Sequence, residues 1–234
     1  MSGHSKWSTI KHKKAANDKV KGSVFTKMAK DITIAVKKGG GVGDPDMNFS
    51  LRLAVDKARA VNMPKENIDR AIDKGLGKAG EELSELIIEA FGPDGVMVIL
   101  EVVSDSRNRT VAEIRTLMEK HGGRMGEQGS VMHMFDKCGI VHTPDSIDEE
   151  LQLELIDLGM SDVVVDESGS TIYTMPETMH SVIKYLQSKG KTVGGTIGYR
   201  PKVVVVVEDS AKVENFLEIM ADYDDVQEVY ANLG

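Results

Sequence analysis

Residues 96–103 read Val-Met-Val-Ile-Leu-Glu-Val-Val, eight residues with a single charge. Such a run, preceded by the turn residues Gly92-Pro-Asp-Gly95, predicts a central strand covered on at least one face. Downstream, Thr110-Val-Ala-Glu113 has capping-box spacing, and the helix it starts is expected to end at His121-Gly122-Gly123. Leu86–Phe91 and Val131–Phe135 read as further strands on either side. Val203–Val207, Ala211–Ala221 and Val226–Tyr230 repeat the strand–helix–strand order at the end of the chain. The two units together predict a ferredoxin-like α/β sandwich. The most apolar runs, 96–103 and 203–207, fall in its two central positions, and the mixed Val226-Gln-Glu-Val-Tyr230 suits an edge.

A second set of the same parts lies between Phe135 and Val203. Cys138–Thr143, Ser161–Val165, Thr171–Met175 and Gly194–Arg200 predict strands; Asp148–Leu158 and Glu177–Lys189 predict helices. Their order is again βαββαβ. The sequence therefore predicts an α+β protein. An N-terminal all-helical domain (1–80) precedes two ferredoxin-like domains, one formed by 81–136 with 201–234, the other (137–200) inserted into it.

The helical part begins with a helix expected from about Ala15. Val24, Met28, Ile32 and Ala35 form its apolar stripe, flanked by Phe25 and Val36. Gly39-Gly-Gly-Val-Gly43 ends it as a flexible connector, since no Gly-Lys-Ser/Thr follows to make a phosphate loop. A second helix spans about 48–61, with Leu51, Ala54, Val55, Ala58 and Val61 on one face. A third follows Pro64 and stops at Gly75. The composition breaks near Gly77-Lys-Ala-Gly80. Residues 1–80 carry 17 basic and 8 acidic side chains, net +9, and residues 81–234 carry 12 and 29, net −17.

A segment opposite in sign to its host is a local electrostatic device. Residues 1–40 alone hold ten Lys and two Asp. The candidate nucleic-acid contacts are Lys6, Trp7, Lys11, His12, Lys13, Lys14, Lys19 and Lys21, then Lys27, Lys30, Lys37 and Lys38 on the helix face expected in water, with Arg52 and Arg59. Lysines there suit phosphate contact, which positions a protein without reading bases. Trp7 is placed either to stack on a base or to anchor the arm on its own domain. The loop 104–110 precedes a helix and carries Arg107 and Arg109, a secondary anion contact or a plain cap.

No catalytic set emerges, and no metal or cofactor is expected. His133 and Cys138 are too few ligands for zinc, and Asp222-Tyr-Asp-Asp225 lacks the spacing of a calcium loop. Residues 144–168 hold nine acids and no base, either a solvated face or a dock for a basic partner. The central runs lack the aromatics on which some sheets stack RNA bases. One cysteine fits a reducing compartment. No apolar run approaches a membrane span, and no signal peptide opens the chain, so a cytoplasmic home with no membrane partner is expected.

Gly3-His-Ser-Lys-Trp7, Ile10-Lys-His-Lys-Lys-Ala-Ala16, Phe25-Thr-Lys27, Gly39-Gly-Gly41, Asp44-Pro45 and Leu51-Arg-Leu-Ala54 stand in the order of a known family. So do Asn62-Met-Pro-Lys65, Asn67-Ile68, Arg70-Ala-Ile72, Gly92-Pro93, Asn108-Arg-Thr110 and Asp225-Val-Gln227. Across essentially its whole length the chain resembles the YebC/PmpR family, whose mitochondrial relatives are translational activators of cytochrome oxidase subunit I. The resemblance implies three domains and a non-enzymatic regulator without a small-molecule substrate. It implies DNA as partner, in transcription, or else rRNA and the ribosome, where other members help synthesis through proline-rich stretches. The mostly lysine arm suits charge-and-shape contact better than base readout.

Overall fold

A computed structural model of the chain describes residues 21–78, 82–166 and 169–234, with only the backbone of Lys21. Helix α1, Lys21–Lys38, lies against α2, Phe49–Ala60, and α3, Lys65–Gly75. Their core is Ile32, Val36, Leu51, Val55, Ala58, Met63 and Ile68, the stripe that the 3.6-residue repeat predicts. The start expected near Ala15 lies outside the described residues. Its end is a left-handed turn at Gly40 and Gly41 (φ 71° and 78°), where Gly41 N–H donates to the Val36 carbonyl at 3.0 Å. Asn48 then caps α2 through Leu51 N–H and donates to the Ala35 and Val42 carbonyls at 3.0 Å each. Gly75 lets α3 approach α1 closely: a Cβ there would stand 2.6 Å from that of Val36.

Two four-stranded antiparallel sheets follow, each with two helices, giving the mixed α+β architecture expected. The first is built from β1 (Ser84–Phe91), β2 (Met97–Ser104), α4 (Arg107–Lys120), β3 (Arg124–Met125), α7 (Ser210–Asp222) and β8 (Val226–Ala231). Between β3 and α7 the chain makes the second sheet. Its parts are β4 (Phe135–Thr143), α5 (Glu149–Asp157), β5 (Met160–Asp166), β6 (Gly169–Thr174), α6 (Met179–Ser188) and β7 (Gly194–Pro201). Its order, β5-β6-β4-β7, is the βαββαβ arrangement read from the sequence.

The first sheet has the order β3-β1-β2-β8, and two of its positions are filled differently from expectation. Val203–Val207 is not a strand of it. Val205 makes one isolated parallel bridge to Leu233, and Val203 and Val206 are 56% and 86% exposed. The central position beside β2 belongs to β1, paired with it over eight registers from Ser84↔Ser104 to Phe91↔Met97. The hairpin closes through a five-residue turn, so it pays far less loop entropy than a strand a hundred residues away. Val131–Phe135 is also not a strand of this sheet: Met132–Met134 is a 3-10 turn, Phe135 opens β4, and the edge strand is Arg124–Met125. β2 is covered on both faces, where its run predicts at least one. Val98, Leu100 and Val102 meet Ile114, Phe216 and Met220 of the helices, while Ile99 meets Val131, Phe135 and Tyr230.

Helix α4 also begins earlier than the capping-box spacing predicts. It starts at Arg107 after Ser106, so Thr110 sits inside its first turn with its hydroxyl buried. Glu113 accepts from the Tyr223 hydroxyl instead of closing a cap.

Candidate nucleic-acid interface

The lysines of α1 were expected in water; the structure turns them onto the acidic trunk. Lys27 Nζ donates to the Ala221 carbonyl. Lys30 Nζ lies 2.5 Å from Asp225 Oδ1 and donates to the Asp224 carbonyl at 3.0 Å, with 14% and 13% of the paired side chains exposed. Lys37 donates to the Leu83 carbonyl at 3.2 Å and faces Glu82 at 3.6 Å, and Lys38 pairs with Glu85 at 2.6 Å. Ser23 adds a bond to Asp224, and Lys57 of α2 faces Glu228 at 3.7 Å. The helix amphipathicity is real, but its polar face has a partner surface. Burial pushes the Lys27 ammonium below its usual range, against the pull of Asp222 and Asp224.

Asp225 joins these elements. Its carboxylate accepts from Lys30 of α1 and, at 2.5 Å, from the Thr110 hydroxyl of α4, which in turn lies 2.6 Å from Ser104 Oγ. Its own carbonyl accepts Val103 N–H at 2.8 Å. Burial alone would raise this carboxyl, but the bonds from Lys30 and Thr110 outweigh it and hold it below the usual carboxylate range. Gln227, with its amide turned to donate, reaches Asp31 Oδ1 at 3.1 Å and the Lys27 carbonyl at 3.0 Å. In the loop 104–110 the Thr110 hydroxyl meets the chain's own Asp225, and among the described residues neither Arg107 nor Arg109 pairs with that carboxylate.

The remaining candidates separate. Lys6, Trp7, Lys11, His12, Lys13, Lys14 and Lys19 lie outside the described residues, as does the side chain of Lys21. Arg52 binds back to its own loop through the Pro45 and Asp46 carbonyls at 3.0 Å each. Arg59 is 70% exposed beside Asp56 at 3.6 Å. Arg109 is held by Asp105 at 2.5 Å. Arg107 is exposed on the far side, over the loop whose Gly129, Val131 and Met132 N–H groups clasp Glu89. Burial opposes the charge on Glu89, yet those three N–H bonds keep its pKa low, which makes this a closed structural knot.

Arg70 and Lys74, one turn apart on α3, were not among the sequence candidates. They line the junction between α1, α3 and the β2–α4 corner together with Lys30 and Arg109. Among the described residues neither forms an ion pair. Their i,i+4 spacing was the available signal. Val61–Pro64 joins α2 to α3 with a turn of helix-turn-helix length, yet α3 carries as many acids (Glu66, Asp69, Asp73) as bases (Lys65, Arg70, Lys74). Among the described residues no three His, Cys, Asp or Glu gather to hold a metal. Burial raises the Cys138 thiol to about 11, so it stays protonated and unreactive. No helix among the described residues is long and apolar enough to cross a membrane.

Two family models match consecutive parts of the chain: "TACO1/YebC protein N-terminal domain" over residues 5–78 and "TACO1/YebC second and third domain" over residues 83–233. A relative from Chloroflexus aurantiacus named "Probable transcriptional regulatory protein" is 46% identical over 245 residues, covering 100% of this chain and 95% of the relative. A relative of the same name from Halothermothrix orenii is 44% identical over 99% of this chain and 94% of its own. The crystal structure of a conserved hypothetical protein from Aquifex aeolicus superposes with a TM-score of 0.85 at 37% identity, covering 93% of this chain and 91% of that one. The chain belongs to the TACO1/YebC family.

Proposed function

We propose that this protein is a non-enzymatic nucleic-acid-binding regulator of gene expression acting in the cytoplasm: a transcriptional regulator, as its relatives are named, that works by binding DNA. The reversal of charge carries the reading: residues 1–80 have a net charge of +9 on a remainder of −17. Domains of 1–80, 81–136 with 201–234, and 137–200 divide the labour. Phosphate contact belongs to the first, through Lys6, Lys11, Lys13, Lys14, Lys19 and Lys21, with Trp7 and His12 as the rings among them. Lys27 and Lys30, engaged by the trunk, supply no contact while α1 stays docked. Lys38, 59% exposed, extends the cationic surface despite its pair with Glu85.

A second reading, contact with structured RNA of the ribosome, is favoured by the make-up of the cationic end: the ten cations of residues 1–40 are all Lys, which suits charge-and-shape contact better than base readout. Anisotropy titrations of the full chain against a DNA duplex and a folded rRNA hairpin separate the two. Sequence-selective protection of a duplex supports transcription. RNase-sensitive sedimentation with ribosomal particles supports translation. Failure to bind either polyanion overturns both.

A further inference from the structure

A cleft of about 570 Å³ opens where the helical part meets the first sheet, within the roughly 300–1,000 Å³ of ligand sites. Its floor is apolar: half-buried Phe25 and Ala29 beside buried Met63 and Leu83. Its rim carries four cations and two acids. Both acids are engaged, Asp225 with Lys30 and Asp105 with Arg109, at 2.5 Å each. Arg70 and Lys74 are left facing the cleft without a carboxylate, and Asn67, one turn before Ala71, adds an amide. An aromatic and aliphatic floor below two unneutralised cations is matched by a flat apolar ring joined to a phosphate.

We propose that this cleft takes one unstacked nucleotide of a single-stranded nucleic acid, its base over Phe25 and Met63 and its phosphate against Arg70 and Lys74. The inference rests on the reading that this end of the protein meets nucleic acid, and adds that it engages an unpaired strand. A base within a duplex stays stacked and paired, so its ring cannot reach the floor of the cleft; only its backbone could touch the rim.

The test uses the full chain and fluorescein-labelled probes of about 15 nucleotides: a single-stranded RNA, a single-stranded DNA of the same sequence, and the blunt DNA duplex. R70A/K74A should weaken both single strands by about tenfold or more and the duplex by less than about threefold. Phe25→Leu, which keeps the apolar volume and removes the ring, should weaken the single strands alone. K120A/K212A, which removes two exposed lysines outside the cleft, is the control for loss of charge, and urea midpoints check that each variant is folded. If R70A/K74A weakens all three probes equally, or none, the cleft is not a nucleotide site. If in addition K11E/K13E/K14E abolishes binding, phosphate contact by the arm survives and the cleft alone is discarded. Were the intact chain to bind no probe, both readings would fall. A loss on RNA but not on single-stranded DNA would keep the site and assign it a ribose contact.

Discussion

The cations of α1 and those of α3 look alike in sequence and differ in employment. Lys27 and Lys30 spend their charge on Ala221, Asp224 and Asp225, whereas Arg70 and Lys74 line an open cleft with no carboxylate bound. A basic helix next to an acidic body is thus not automatically a basic surface. The body is itself a polyanion, and it reaches the helix first. The difference shows that charge counts locate a binding end of a molecule, while the fold decides which of its cations remain available.

The comparison is broken most severely at Asp225. Removing one partner of a mostly buried ion pair strands the other, at a cost of about 3–5 kcal/mol. Asp225→Ala should lower urea stability by about that amount, since Lys30 loses its counter-ion and Thr110 its acceptor. A loss under about 1 kcal/mol would mean that α1 is held by its apolar stripe alone. The acid limb of stability offers a second check. The folded-state pKa of Asp225 is depressed, so its contribution is complete above the ordinary carboxylate pKa and is lost as pH falls through the folded value. Asp225→Asn should therefore flatten the decline of stability in that acidic window, and leave the slope near neutrality unchanged.

Smaller effects sharpen the contrast. Lys38→Ala removes a mostly exposed pair with Glu85 and should cost at most about 1 kcal/mol. Arg70→Ala should leave the unfolding free energy from urea titration within about 0.5 kcal/mol of the parent, because no ion pair among the described residues depends on it. Val206→Thr, at a position 86% exposed, should be equally silent, within about 0.5 kcal/mol. Large destabilisation by Val206→Thr would restore 203–207 to a buried strand.

The sequence made the inserted sheet legible almost residue by residue, because each of its strands is flanked by local turn signals and its partners lie within the same stretch. The same reading misplaced Val203–Val207. Five consecutive valines look alike whether they are central or exposed, and what displaced them was a hairpin formed by β1 more than a hundred residues earlier. The apolar stripe of α1 was legible from its period, but the partner of its polar face was not. Asp224 and Asp225 are some 190 residues from Lys30, beyond any i,i+4 search, although Asp31 does stand one turn from Lys27. The four residues Asp222–Asp225, which lack the spacing of a calcium loop, are the acidic edge against which the basic helix docks. Arg70 and Lys74 were overlooked because three acids on the same helix hide them in a net charge of zero.

The salt dependence of polyanion binding counts the phosphates that the cationic end neutralises. Each phosphate neutralised contributes a slope of about −0.9 on duplex DNA in a plot of log K against log salt. Replacing Lys11, Lys13 and Lys14 with Glu in the full chain should make that slope shallower by about 2 to 3 and leave the urea midpoint unchanged. An unaltered slope would contradict the account, because the cationic end of the chain would then not be what meets phosphate.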